Sequence, residues 1–101
     1  MVGIISCAGY VPLYRMARGT IQSAMGWRNP DATPGEKAVA NYDEDSITTA
    51  VAASMECLKY VDIEKLDRLY FADTSDPCRE RASPAIIATA LDIGLFCRYQ
   101  K

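Results

Sequence analysis

The stretch NYDEDSITTAVAASMECL, residues 41–58, decides the fold class of this chain. Three carboxylates precede an apolar stripe, and either Asp43 or Asp45 can accept hydrogen bonds from the open N–H groups of a first helical turn. The stripe recurs at helical spacing, and its small residues permit close packing. The stretch therefore predicts a helix that starts beside these carboxylates and packs one face against a core.

The acidic cluster at residues 43–45 has a second interpretation as a metal site. We favour capping, because carboxylates at a helix start offset the positive end of the helix dipole. The chain has no histidine, and its four cysteines include no Cys-x-x-Cys pair. Since structural zinc sites draw on those two residue types, the sequence predicts no metal site.

The segments before this helix change from strand-like to helical patterns. Residues 2–8 form a short apolar run that ends in turn residues, which is typical of a strand buried on both faces. Residues 13–25 have helical spacing and predict a helix. Residues 27–35 contain prolines and a glycine and predict a loop, after which residues 36–39 predict a brief extended segment.

The segments after it continue the alternation. Residues 68–72 are rich in aromatic and aliphatic side chains and predict a strand, which turn-forming residues end at 73–77. Residues 83–91 predict the last helix, with Ser83 as its cap and Pro84 in its first turn. This order of elements predicts an α/β layered architecture.

The composition excludes several classes of function. A chain of 101 residues has room for one small domain. Without histidine, Ser-His and Cys-His dyads are excluded. The 11 basic and 13 acidic residues are interspersed, which argues against nucleic-acid and membrane partners. The N-terminus has no basic leader before its apolar run, so we expect a cytoplasmic protein.

Local chemistry offers a few candidate site residues. Asp73 and Thr74 follow a predicted strand, and ligands of α/β proteins bind outside the carboxyl ends of strands; the alternative is an ordinary Asx turn. Trp27 and Arg28 are candidates for stacking on a planar ligand such as an adenine; the alternative is that the tryptophan anchors its loop. Two arginines near Cys78 would lower the pKa of its thiol, but no general base accompanies it.

The remaining cysteines have simpler interpretations. Cys7 and Cys57 lie on apolar faces and are expected in the core. Cys97 lies in the last eight residues, whose sequence matches no motif of a nucleophilic cysteine. The sequence therefore predicts free thiols and no catalytic cysteine.

A longer string of residues carries a family resemblance. Residues 34–51, PGEKAVANYDEDSITTAV, resemble the start of an archaeal or bacterial hydroxymethylglutaryl-CoA synthase. That family belongs to the thiolase superfamily, as does ketoacyl-acyl-carrier-protein synthase III. Residues 3–12, 69–75 and 85–92 fit the same pattern in the same order. We therefore expect a matching segment at residues 1–93, followed by a non-matching tail at 94–101.

The resemblance implies a fold and a reaction. The fold would be the N-terminal part of a thiolase-like layered α/β/α structure, an incomplete half within an enzyme three to four times longer. Such enzymes take an acyl group from CoA onto a cysteine, and later residues of the chain assist carbon–carbon bond formation. The resemblance thus implies an acyl-CoA substrate, no covalently bound cofactor, and a homodimer or thiolase-family accessory subunits as partners.

One departure from the family concerns the turn after the predicted strand. The family carries an acid/base glutamate there, and Thr74 stands at the corresponding place. A threonine hydroxyl cannot act as a carboxylate base near pH 7, and Asp73 would point to the opposite face. We therefore expect an acyl-condensing fragment that is inactive alone, with a ketoacyl synthase III-like fragment or a non-catalytic interaction module as alternatives.

Overall fold

The computed structural model describes residues 2–26, 34–77 and 82–93, together with the backbone of 98–100. Within these ranges the chain forms a mixed α/β structure. Its elements, in chain order, are β1 (Tyr14–Ala17), α1 (Arg18–Met25), β2 (Glu36–Val39), α2 (Ser46–Cys57), a 3₁₀ turn (Ile63–Lys65), β3 (Arg68–Tyr70), α3 (Ser83–Ala90) and β4 (Arg98–Gln100). No helix in these ranges has the length and apolar character needed to cross a bilayer.

The chain divides into two compact units, of which residues 11–43 form the smaller. In this unit β1 and β2 pair antiparallel, with Tyr14 opposite Val39. The helix α1 ends at Gly26, whose positive φ of 68° suits a residue without a side chain and whose N–H donates to the carbonyl of Gln22. The predicted extended segment at 36–39 is confirmed as β2.

The prediction of one helix across residues 13–25 is wrong for its first five residues. The segment Tyr14–Ala17 is a strand, because its backbone groups pair with β2 across a connection of eighteen intervening residues. The helical spacing of apolar residues within a segment carries no information about a distant pairing partner. Here the pairing with β2 outweighs the intrinsic preference of the segment for a helix. The helix begins only at Arg18, whose N–H donates to the carbonyl of Gly35 over 2.9 Å.

The larger unit, residues 1–10 and 44–101, is organised around α2 and α3. Asp45 caps α2: its carboxylate accepts from the N–H of Thr48 over 2.9 Å, and its own N–H donates to the Thr48 hydroxyl over 2.8 Å. This reciprocal capping box satisfies two groups that the helix start would otherwise leave open. The predicted helix start is confirmed, with Asp45 as the cap.

The core of this unit lies between α2, α3 and β3. Its centre is Ile87, only 2% exposed, with Ile47 and Leu91 beside it. Partly buried apolar residues surround these three, namely Ala50, Val51, Leu58, Leu69, Phe71, Ile86 and Ile93. The predicted apolar stripe of α2 therefore does face the core.

A parallel βαβ arrangement links the last elements. The strands β3 and β4 pair in parallel, with residue 68 opposite residue 98, and α3 lies between them in the chain and packs on both. A parallel pair requires such a crossover, because a short turn can join only antiparallel neighbours.

The predicted N-terminal strand at residues 2–8 is not formed. Val2, Ile4 and Ile5 are at least 90% exposed, and no described strand pairs with this segment. A strand exists only where its N–H and C=O groups have a neighbour. Cys7 is exposed and Cys57 half-buried, so the core placement predicted for these thiols is wrong for Cys7.

Candidate functional site

The turn at residues 73–77, which we name the strand-end turn, follows the carboxyl end of β3. One oxygen of the Asp73 carboxylate accepts from the backbone N–H of Ser75 over 3.1 Å and from its hydroxyl over 3.3 Å. This is an Asx-turn arrangement, in which a side chain takes the place of a backbone acceptor. The side chain of Thr74 is exposed between these two residues.

The second oxygen of Asp73 faces the start of α2. Both this oxygen and the hydroxyl of Ser46 are shielded from solvent, and neither completes a hydrogen bond of normal geometry within the described residues. The Ser46 hydroxyl is the main influence that lowers the pKa of Asp73, followed by the backbone N–H of Ser75. Both groups favour the charged carboxylate, so Asp73 is ionised near neutral pH.

A second aspartate ties the strand-end turn to α3. The hydroxyl of Ser83 donates to the carboxylate of Asp76 over 2.6 Å, and Ser83 is 0% exposed. Ser83 is the first residue of α3 and not its cap, because Ala82 stands in the cap position without a side-chain hydrogen bond. The predicted capping role of Ser83 is therefore wrong, whereas Pro84 does occupy the first turn as predicted.

Together these contacts place the strand-end turn against the N-terminal ends of two helices. Asp73 faces the first residue of α2, and Asp76 binds the first residue of α3. A helix N-terminus carries a partial positive charge that a nearby carboxylate stabilises. The two aspartates thus fix the turn and compensate both dipoles, while the exposed Thr74 side chain is left to solvent.

The grooves of the larger unit lie elsewhere. One, of about 230 Å³, is lined by Cys57, Leu69 and Leu91 among others, and a second, of about 310 Å³, is lined by Met55, Leu58 and neighbours. Both sit at the C-terminal ends of α2 and α3. No residue of the strand-end turn lines either groove.

The smaller unit has a groove of its own. It encloses about 240 Å³ and is lined by Arg18, Ile21, Gln22 and Lys37. Two cationic side chains and one apolar side chain thus share a surface that can meet an anionic group. Trp27 and Arg28, the residues predicted to contact a ligand, lie outside the described residues, as do Cys78 and Cys97.

The described part of the chain contains no group of three or more cysteine, aspartate and glutamate side chains able to hold a metal ion. In the acidic cluster at 43–45, Asp45 caps α2 and Glu44 accepts a hydrogen bond from the hydroxyl of Tyr10 over 2.6 Å. Two of the three residues of the cluster, Glu44 and Asp45, are therefore engaged in hydrogen bonds within the protein.

The sequence predicts a turn at residues 73–77, with Asp73 and Thr74 as candidate site residues, but it does not predict the side-chain contacts that hold the turn. Asp73 and Thr74 were predicted from their place after a strand, whereas Ser46 and Asp76 were not singled out. Each contact joins a turn residue to the first residue of a helix. Asp76 and Ser83 are seven residues apart, at the two ends of the loop that precedes α3. Short polar residues at both ends of such a loop are a sequence pattern that can predict this hydrogen bond.

Several proteins of known function are similar in sequence to this chain. No family model matches the chain. The hydroxymethylglutaryl-CoA synthase of Pyrococcus furiosus is 35% identical over 92 residues, which cover 89% of this chain and 26% of the relative. Those of Aeropyrum pernix and Methanocaldococcus jannaschii are 36% and 33% identical over 98 and 100 residues, covering 90% and 91% of this chain. Over about nine-tenths of its length, this chain is similar to hydroxymethylglutaryl-CoA synthases.

The homology has a defined extent. The chain spans about a quarter of the length of the hydroxymethylglutaryl-CoA synthases that it matches, from 26% to 28% in these three relatives. The matched portion fits the N-terminal part of such a synthase, as the resemblance at residues 34–51 predicts.

Proposed function

We propose that this chain is the N-terminal part of an acyl-CoA condensing acyltransferase of the hydroxymethylglutaryl-CoA synthase type. In such an enzyme a cysteine thiolate attacks the thioester of an acyl-CoA, the CoA thiol leaves, and the enzyme-bound acyl group then forms a carbon–carbon bond with a second acyl-CoA. The observation that carries the proposal is the match to Pyrococcus furiosus hydroxymethylglutaryl-CoA synthase, 35% identical over 89% of this chain.

The role that we assign to this chain is structural support for that reaction in the cytoplasm. Its α2, β3 and α3 would form part of a layered α/β/α fold of the thiolase type. The strand-end turn would project from the carboxyl end of β3, where ligands of α/β sheets gather. The fixed aspartates, Asp73 and Asp76, would hold the turn in place, with Thr74 nearest to the reacting groups.

We expect no condensation from the chain alone. The reaction needs an activated thiolate, a proton donor or acceptor and oxyanion donors in one place, and the chain has no histidine. Of the described thiols, Cys57 ends α2 at the opposite end from the strand-end turn. The full reaction therefore requires residues that the matched portion does not contain.

Thr74 offers a direct test of the site assignment. We propose a chimera in which residues 2–93 of this chain replace the matched portion of the Pyrococcus furiosus synthase. Thr74→Glu in this chimera supplies the carboxylate that the family resemblance places at this position. A positioned general acid or base contributes on the order of 10²-fold to 10⁴-fold, so release of CoA from acetyl-CoA and acetoacetyl-CoA rises at least a hundredfold by this estimate.

The matched control is Thr74→Gln in the same chimera. Glutamine has nearly the shape of glutamate but no ionisable proton, so this variant releases CoA no faster than the Thr74 chimera. If the two variants release CoA at equal rates and circular dichroism shows that both are folded, position 74 does not lie at the reaction site.

A second candidate function is that of a non-catalytic interaction module, which docks a thiolase-family partner or a second copy of the chain. The exposed apolar side chains favour it, among them Val2, Ile4 and Ile5 in the larger unit. Exposed apolar surface of this kind marks interaction sites in soluble proteins.

A further inference from the structure

The groove of the smaller unit is formed by two neighbouring elements, α1 and β2. Arg18, Ile21 and Gln22 of α1 line it together with Lys37 of β2. The three helix residues are spaced by three and four positions, so they lie on one face of α1. The N–H of Arg18 donates to the carbonyl of Gly35 over 2.9 Å, which holds the start of α1 close to the start of β2. This contact explains why the two cations share one groove.

The charge of the groove is of one sign. Side chains alternate between the two faces of a strand, so Glu36 lies on the opposite face of β2 from Lys37. Among the described residues, no carboxylate lines the groove. Within the same ranges, neither Arg18 nor Lys37 forms an ion pair. Two positive charges in this state attract an anion from solution.

The groove also offers directed donors and an apolar wall. An arginine guanidinium donates to two phosphate oxygens as a fork, and a lysine binds phosphate as a point charge. The half-buried amide of Gln22 adds two N–H donors. Ile21, also half-buried, supplies an apolar surface beside these polar groups. The lining therefore suits a ligand that is anionic at one end and apolar next to it.

We propose that this groove binds the phosphate monoester group of a small organic molecule, with the phosphate between Arg18 and Lys37 and the organic part beside Ile21. A phosphate monoester carries a charge of about −1.5 to −2 near pH 7, which matches two cations better than the single charge of a carboxylate. The groove encloses about 240 Å³, the volume of about eight water molecules at roughly 30 Å³ each. This space exceeds what a bare phosphate fills, so part of an organic group fits as well.

The binding site goes beyond the proposed function. Its four lining residues belong to the smaller unit, whereas the strand-end turn belongs to the larger one. The described lining contains no thiol and no carboxylate, so it is a surface for binding and not for acyl transfer. A phosphate ester without a thioester therefore tests the groove separately from the condensation reaction.

Titration of the isotope-labelled 101-residue chain with phenyl phosphate, followed by amide NMR, tests the proposal. We expect saturable resonance shifts at residues 18–22 and at Lys37, and none in α2. Phenol and benzoate are the matched controls, because phenol has no charge and benzoate carries a single one. Both should bind at least about tenfold more weakly than phenyl phosphate. Inorganic phosphate should also bind more weakly, since it has no organic part to contact Ile21.

Variants of single cations distinguish the groove from a general attraction of anions. Arg18→Gln and Lys37→Gln each remove one charge and should weaken the binding of phenyl phosphate about tenfold. Arg15→Gln removes the same charge from the opposite face of β1, where Arg15 donates to the carbonyls of Pro12 and Tyr14. This control should leave the affinity within about twofold of the wild type. Cross-strand contacts between β1 and β2 in the NMR spectra show that each variant keeps the fold of the smaller unit.

Four results contradict the proposal. The first is the absence of saturable shifts in the groove, and the second is an affinity for benzoate equal to that for phenyl phosphate. The third is an equal loss of affinity in all three variants, which would indicate an effect of net charge. The fourth is inorganic phosphate binding as tightly as phenyl phosphate, which would leave the organic part without a place in the groove.

Discussion

At the scale of single residues, three carboxylates of the larger unit lie at helix starts. Asp45 caps α2, Asp73 faces Ser46 at the start of the same helix, and Asp76 accepts from Ser83 at the start of α3. These three aspartates, which are candidates for a metal or catalytic site in the sequence, are thus distributed over two helix starts. Their common chemistry is the acceptance of hydrogen bonds at positive dipole ends.

The ionisation of Asp73 gives the residue-scale prediction. Its pKa lies below the ordinary value of 3.8, chiefly because of the Ser46 hydroxyl and the N–H of Ser75. A depressed pKa stabilises the fold above pH 3.8, and this contribution is lost as the pH falls through the lower pKa of the folded state. Wild type should therefore lose more stability than Asp73→Asn as the pH falls below about 3.8, measured by urea unfolding.

A carboxyl resonance titration provides the control for this assignment. Ser46→Ala removes the hydroxyl that contributes most to the lowered pKa of Asp73, so this pKa should rise towards its ordinary value. The account of the strand-end turn is contradicted if Asp73 in the wild type titrates at or above that ordinary value.

At the scale of elements, helices and strands that depend on contacts between nearby residues could be predicted from the sequence, whereas those that depend on distant partners could not. The start of α2 was predictable because Asp45 and Thr48 are three residues apart and satisfy each other. The strand β1 was not predictable, because its partner β2 comes after α1 in the sequence, with eighteen residues between the two strands. The segment 2–8 was predicted as a strand from its composition alone. Composition shows that a segment favours the extended conformation, but it does not show whether another strand is available to pair with it.

The capping box yields the element-scale prediction. Asp45→Ala removes the side-chain acceptor for the N–H of Thr48 and should lower the free energy of unfolding by about 1 kcal/mol, measured by urea denaturation. Asp45→Asn retains an acceptor of the same length and should stay within about 0.5 kcal/mol of the wild type. Equal losses in the two variants would show that the charge of Asp45, and not its cap geometry, stabilises α2.

At the scale of the whole molecule, the sequence predicts a mixed α/β structure and a resemblance to hydroxymethylglutaryl-CoA synthases, and the structure adds the contacts that hold the strand-end turn. The turn at Asp73 and Thr74 was predicted from the turn-forming residues that follow the predicted strand. The contacts of Ser46 and Ser83 depend on how α2 and α3 pack around Ile87, which no local pattern encodes. Composition alone suggested a small protein without histidine, whereas the comparison aligns 89% of the chain with 26% of a longer hydroxymethylglutaryl-CoA synthase.

Formation of an acyl-enzyme thioester tests the central claim most directly. The chain, the remaining portion of the Pyrococcus furiosus synthase and their co-expressed complex are each incubated with acetyl-CoA, and acetylated cysteine is quantified by peptide mass spectrometry with parallel measurement of released CoA. We predict stoichiometric acetylation of a cysteine in the partner polypeptide, in the complex only. Acetyl transfer by the 101-residue chain alone, or a complex no more reactive than the partner alone, would contradict the claim that this chain supports an acyl-CoA condensing enzyme.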